Sequence, residues 1–222
     1  MQIAFYGSSL LSAYWNGAAT YYRGLLGALA RLGHAITFYE PDAFDRQSHR
    51  DIEPPDWARS VVYPATTEGL RGVLAEAGRA DVVVKASGVG VFDDELLAGC
   101  LAHARPGAVR VFMDVDAPAT LAAIHADAGH PMRRALGSLD LVLNFLSSDM
   151  NEKQRRYLML ARDGAEMRAH LAALRDDAGL RAGLAAHGLA TIRARHTCAH
   201  RVDELFAILR HLGADEDELV PA

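Results

Sequence analysis

"QIAFYGSSLLSAYWNGAATYYRGLLGALARLGHAITFYEPD", residues 2–42, decides the fold. The short apolar run ending at Gly7 has the look of a buried parallel strand. A loop follows from Ser8 to about Asn16. Beyond it Tyr21, Leu25, Leu29 and Leu32 recur about one helical turn apart, which predicts a helix with one apolar face. Gly33 stands where a C′ glycine would stop that helix, and Pro41 closes a second strand, "AITFYEP". Strand, helix and strand at this spacing make a βαβ unit.

The unit repeats outward. Residues 43–57, "AFDRQSHRDIEPPDW", are polar and proline-bearing and read as a long surface loop. "SVVYPA" is a third strand, followed by a helix near 67–77. "ADVVVKAS" is a fourth, running through "GVGVFDD" into a helix over about 94–104. "AVRVFMDVD" is a fifth, with Pro118 opening the next helix in its first turn, and "LDLVLNF" is a sixth. This alternation predicts an α/β fold, a doubly wound parallel Rossmann-like sheet over residues 1–145.

The character then changes. Residues 146–160 form a polar, atypical connector holding Lys153, one of 2 lysines beside 21 arginines. Residues 161–213 read as a C-terminal helical annex. Asp163 and Glu166 make a capping arrangement, Met167, Leu171 and Leu174 one apolar stripe, and Thr197 the cap of a last helix ended by Gly213. "RYLMLA" is the one strand-like run there, and 214–222 is an acidic tail.

Composition bounds the function. The 222 residues are 50% hydrophobic and 7% aromatic, enough for a sizeable aliphatic core. A net charge of −5 offers no basic face for nucleic acid, and no apolar run is long enough for a membrane span. Cys100 and Cys198 have no metal or redox spacing, and the N-terminus lacks a signal-peptide pattern, so a reduced, cytoplasmic setting is expected.

In an open parallel sheet, ligands bind beyond the carboxyl ends of the strands. The candidate binding residues are therefore Gly7, Ser8 and Ser9 after the first strand, Asp42 after the second, and Ser87 and Gly88 after the fourth. Tyr14, Trp15, Asn16 and Gly17 lie in the loop before the first helix. The loop is not GxGxxG. Free N–H groups after Asn16-Gly17 favour an anion or polar oxygen, unless Asn16 merely caps the helix. Tyr14 and Trp15 either stack on a sugar or base or pin the loop.

Asp114 and Asp116 form Asp-x-Asp. They would either hold a metal for a nucleotide-sugar diphosphate, or Asp116 caps the helix begun by Pro118 and Asp114 accepts hydrogen bonds in the crevice. The second reading is preferred because no metal partner is evident. Likewise His196, Cys198 and His200 lack a further clear ligand, so no metal is expected.

Three stretches together, "FYGSSLLSAYWNGAATYYRGLLGALARLGHAITFYEPDAFDRQ", "ADVVVKASGVGVFDDELL" and "VFMDVDAPATL", resemble the N-terminal domain of GT-B glycosyltransferases, nearest the CgeB-like (spore-maturation-protein-like) family. "ARDGAEMRAHLAAL" and "RARHTCAHRVDELFAIL" resemble the closing helices of the same enzymes, which cross back onto the first domain. Between them the resemblance breaks: the connector stands where the family carries a second Rossmann-like domain for the nucleotide-sugar, so the donor domain looks deleted.

The resemblance implies transfer of a sugar from a nucleotide-sugar, as co-substrate and with no other cofactor, to a small-molecule or glycan acceptor. Gly7, Ser8, Tyr14, Trp15, Asn16, Gly17 and Asp116 would line the acceptor cleft, with Asp116 and Asp114 as candidate bases. A chain that lost its donor domain would expose apolar surface, which implies a homodimer or partner chain over the cleft. Two other readings stay open: a non-catalytic sugar- or acceptor-binding module, and an unrelated nucleotide-binding Rossmann protein with Glu40 or Asp42 as the acid ending its second strand.

Overall fold

The computed structural model describes residues 1–144, 163–195 and 197–211. Six parallel strands form one sheet: β1 (Gln2–Tyr6), β2 (Ala35–Asp42), β3 (Ala58–Pro64), β4 (Val82–Ala86), β5 (Val109–Asp114) and β6 (Leu141–Asn144). Their order is β3-β2-β1-β4-β5-β6, so the winding reverses between β1 and β4. The fold is α/β and Rossmann-like, and the reversal is the point where such sheets open a crevice.

Helices α1 (Ala18–Arg31), α2 (Thr67–Leu74), α3 (Asp93–His103), α4 (Ala117–Ala126) and α5 (Pro131–Ala135) connect the strands. The β5–β6 crossover holds two helices where the sequence suggested one. His130 accepts the Met132 N–H at 3.3 Å and Pro131 starts the second of them. The predicted helix over 67–77 is α2 followed by a 3₁₀ turn, Ala75–Arg79. Helices α6 (Gly164–Asp176), α7 (Ala178–Arg195) and α8 (Cys198–His211) make up the C-terminal helical part. Asp163 caps α6, accepting the N–H groups of Ala165 and Glu166.

The described residues fall into two compact units. One holds the sheet, α1–α5 and the turns of α8 from Glu204. The other holds α6, α7 and the start of α8 up to Asp203. The connector, "RYLMLA", His196, Gly213 and the acidic tail lie outside the described residues.

Alternation along β1 builds the core on both faces of the sheet. Phe5 points to the α1 side, its ring 5.1 Å from both Tyr22 and Phe38. Tyr6 points the other way, stacks on Tyr39 at 4.6 Å and donates to the Val73 carbonyl at 2.8 Å, among Leu70, Leu74, Leu96 and Cys100. Burial pushes the Cys100 thiol up to about 12, so it behaves as a small core hydrophobe. At the end of α1, Gly33 adopts φ 85° and donates to Ala30, while His34 donates to Leu29, a Schellman closure.

One charged pair sits inside. Lys85 on β4 is buried and reaches Asp93, the first residue of α3, at 2.5 Å. Burial pushes the Asp93 carboxyl up, but Lys85 and the N–H groups of Gly90 and Val89 outweigh it and hold it below the usual carboxylate range. Among the described residues no helix is long and apolar enough to cross a membrane.

Candidate functional site

The reversal opens a crevice of about 430 Å³ beyond the ends of β1 and β4, within the small-ligand range. Ser8, Trp15, Asn16, Gly17, Ser87, Gly88 and Asp116 line it, all singled out from sequence, and Tyr21, Tyr22 and Arg46 join them.

The β1–α1 loop is held by its own polar groups. Ser8 donates to Asn16 Oδ1 at 2.8 Å, and Asn16 Nδ2 donates to the carbonyls of Ser9 at 2.9 Å and Ser12 at 3.0 Å. Asn16 therefore ties the loop and makes no side-chain cap. The N-cap of α1 is Gly17, without a side-chain cap and with no acidic residue in the first turn. A Cβ added at Gly17 would meet nothing within 4 Å, and the Ala19 N–H donates to the Asn16 carbonyl at 3.2 Å.

Glu40 organises the loop from below. It is fully buried and accepts from Ser9 Oγ at 3.0 Å, Gln47 Nε2 at 2.6 Å, and the N–H groups of Leu10 at 2.5 Å and Leu11 at 3.3 Å. With those partners it is not the exposed acid that a ribose-binding site would require. Asp42, at the end of β2, is exposed but does not line the crevice.

Three other predicted residues also serve the scaffold. A Cβ at Gly7 would lie 2.6 Å from the Phe38 ring, so this glycine lets that ring pack. Ser9 is buried beneath the loop. Asp114 is buried, and its Oδ1 accepts from Ser87 Oγ at 3.0 Å, Thr120 Oγ1 at 2.9 Å and the Asp116 N–H at 3.1 Å. Asp116 is exposed at the crevice wall and caps α4 through the Ala119 N–H at 3.3 Å.

The aromatic pair divides. Tyr14 stacks on His49 with centroids 4.0 Å apart. Trp15 stays 86% exposed on a left-handed backbone, φ 47°, a conformation that costs a non-glycine residue ~1 kcal/mol or more. An exposed indole held at that cost on a crevice rim is a ready stacking surface.

Arg46 is the residue sequence reasoning missed, hidden in a stretch read as surface loop. Phe44 and Asp45 both take left-handed conformations and turn the chain into a 3₁₀ turn, Arg46–His49, that leaves Arg46 only 6% exposed. Its Nη1 donates to the carbonyls of Ser8 at 3.1 Å and Val89 at 3.2 Å, and its Cζ lies 4.9 Å from the Phe44 ring centroid. Its Nε has no hydrogen-bond partner among the described residues. Burial pushes the guanidinium below its usual range, with Glu40 and Tyr22 opposing, and arginine keeps its charge regardless. Nearby, burial pushes the Tyr22 hydroxyl up to about 12, so it stays protonated. Among the described residues no three His, Cys, Asp or Glu side chains converge as metal ligands would.

Comparison with known proteins adds a family signal at the other end of the chain. Residues 152–207, about a quarter of the protein, match a family model described as glycosyl transferase-like. No curated protein matches the chain. Among solved structures, Mycobacterium tuberculosis 3-hydroxyisobutyrate dehydrogenase with L-serine is 20% identical, with 98% of this chain and 68% of that one aligned at a TM-score of 0.30. A likeness at that level carries no argument. The match over 152–207 supports a glycosyltransferase family in general terms.

Proposed function

We propose that this protein is a glycosyltransferase-family member of the GT-B, CgeB-like kind, whose sheet domain binds the acceptor in the crevice between β1 and β4. The sugar comes from a nucleotide-sugar. The observation that carries the reading is the glycosyl transferase-like match over residues 152–207. The crevice supports it, offering the amides of Gly17 and Ala18 and the indole of Trp15 to a polyhydroxylated ligand. Asp116 is the exposed carboxylate in position to take a proton from an acceptor hydroxyl, while Asp114 holds the Ser87 and Thr120 hydroxyls in place. Tyr14, Ser9 and Gly7 support the loops around the site in this reading.

Apolar side chains are exposed on α4 (Leu121), just after α5 (Leu136) and on edge strand β6 (Val142), and a homodimer or partner chain would cover them. A strictly monomeric light-scattering profile at micromolar concentration counts against that part.

The test is calorimetric titration with UDP-, GDP- and dTDP-sugars, followed by transfer assays on the donor that binds. Micromolar donor binding, followed by transfer in which Trp15→Ala raises the KM for the acceptor, supports the proposal. A folded sample that binds none of them overturns it as a statement about this chain and leaves an acceptor-binding module.

A further inference from the structure

We infer that the acceptor is a neutral glycan chain rather than a single sugar, its terminal unit seated in the crevice and a following pyranose stacked on Trp15 at the rim. The inference rests on the crevice being the acceptor site, and it adds the size and chemical class of what that site takes.

The first observation is how Trp15 is held. The loop beneath it is tied on both sides. The Asn16 N–H donates to the Ala13 carbonyl at 3.1 Å, the Tyr14 N–H to Ser12 Oγ at 3.2 Å, and the Ala13 N–H to Asp51 at 2.9 Å. Arg23 grips both oxygens of Asp51, at 2.8 and 2.7 Å, and Ser12 Oγ donates to the His49 carbonyl at 2.7 Å. The loop before α1 and the turn Arg46–His49 therefore form one fixed base. On that base the indole points into solvent, 86% exposed on a left-handed backbone. A side chain that pinned the loop would cover a face of its ring, as Tyr14 does against His49 at 4.0 Å with the planes 10° apart. Trp15 instead meets Tyr14 edge-on, with centroids 6.2 Å apart at 76°. Strain of this kind persists only where the surroundings impose it, and here it holds a stacking face open.

The second observation is what the crevice has left to offer. Its polar side chains are largely spent on the protein: Ser8 and Asn16 on each other and on loop carbonyls, Ser87 on Asp114 and the Val115 N–H, and Arg46 Nη1 on two backbone carbonyls. Recognition on the α1 side then falls to shape and to the flat indole. A pyranose suits such a surface, because it sets a face of C–H bonds against the ring and keeps its hydroxyls in water. The net charge of −5 tells against a polyanionic chain.

Position decides for a chain. Trp15 lines the crevice yet stands mostly outside it, so a single sugar seated within would leave the indole unused. Tyr14, 40% exposed, lies beyond the lining and extends the aromatic surface outward. A ligand that uses both must leave the crevice along that rim.

The experiment titrates the full chain, without any nucleotide-sugar, against cello-, chito- and malto-oligosaccharides from monosaccharide to hexasaccharide. Binding is read by calorimetry and from the indole N–H resonances of the two tryptophans, Trp15 and Trp57. In at least one ladder the affinity is expected to rise at least tenfold from monosaccharide to tetrasaccharide, with the Trp15 signal shifting and the Trp57 signal still. Trp15→Gly should abolish that rise with Tm essentially unchanged, since glycine takes φ 47° freely and the lost ring buries little surface. Trp15→Phe, which keeps a flat ring, should retain part of the rise.

No rise with length in any ladder, or a rise that survives Trp15→Gly, overturns the inference. Length-dependent binding without any nucleotide-sugar binding leaves the inference standing and removes the transferase reading for this chain. Nucleotide-sugar binding and transfer with no preference for longer acceptors does the reverse.

Discussion

Helices α1 and α4 both begin at the crevice, one after β1 and the other after β5, and they are built in opposite ways. α1 buries Ala19, Tyr22, Leu25, Leu26, Ala28 and Leu29 along its length, and its N-terminus is uncapped. α4 has no buried residue, although its sequence is largely apolar, and its N-terminus is closed by Asp116 with Pro118 in the first turn. A helix anchored along its whole body can leave its end free for a ligand. A helix without that anchor depends on its cap.

This contrast is open to measurement. Phe5→Ala opens the cluster beneath α1 and is expected to cost ~3–5 kcal/mol in chemical denaturation, since the ring is fully buried against Tyr22 and Phe38. A cost near zero would mean that α1 is not anchored as described.

Helix α3 offers a third kind of start, with Asp93 neutralising buried Lys85. Asp93→Asn leaves that ammonium without its counter-charge and is expected to destabilise by ~3–5 kcal/mol. The folded-state carboxyl titrates below its usual range, so its contribution is complete above the unfolded pKa and is lost as pH falls through the folded one. The wild-type protein should therefore lose stability steeply in acid, and Asp93→Asn should show a flatter acid limb from a lower neutral value.

Glu40→Gln tests the clamp under the β1–α1 loop. One carboxylate oxygen becomes a donor facing other donors, for a cost of ~1–3 kcal/mol and weaker ligand binding at the crevice. Asp116→Ala removes the α4 cap for ~1 kcal/mol, and Asp116→Asn recovers most of the stability but none of the proposed base function. Leu121→Ala, at a side chain 55% exposed, should change stability by less than ~0.5 kcal/mol in thermal unfolding. A larger loss would show α4 packed against something, such as the proposed second chain.

The periodic parts of this fold are legible without coordinates. The strands and the order strand–helix–strand follow from apolar runs such as those ending at Gly7, Pro41 and the Asp114–Asp116 segment, because a central strand buried on both faces must be apolar throughout. Residues just past such strands are also readable, which is why Ser8, Asn16, Gly17, Ser87, Gly88 and Asp116 could be named as crevice residues beforehand. Local caps follow from short-range chemistry, as at Asp116 and Asp163.

What one-dimensional reading missed depends on partners far along the chain. Asn16 could be read as a cap or as a ligand contact, but its side chain is taken by Ser8, Ser9 and Ser12, and only the folded loop reveals that. Glu40 looked available on the rim, yet it is buried under donors from other segments, and Asp114, expected to accept hydrogen bonds in the crevice, accepts them from Ser87 and Thr120 of the protein itself.

The sequence by itself determined the layer order, the strands and most of the crevice lining, because apolar periodicity and turn residues act over a few positions. Only the tertiary structure decided that Arg46 leaves its polar surroundings and enters the crevice. That depends on two consecutive left-handed residues and on carbonyls 38 and 43 positions away, at Ser8 and Val89. Tertiary packing likewise left the α1 terminus without a cap, since it drew Asn16 into the loop.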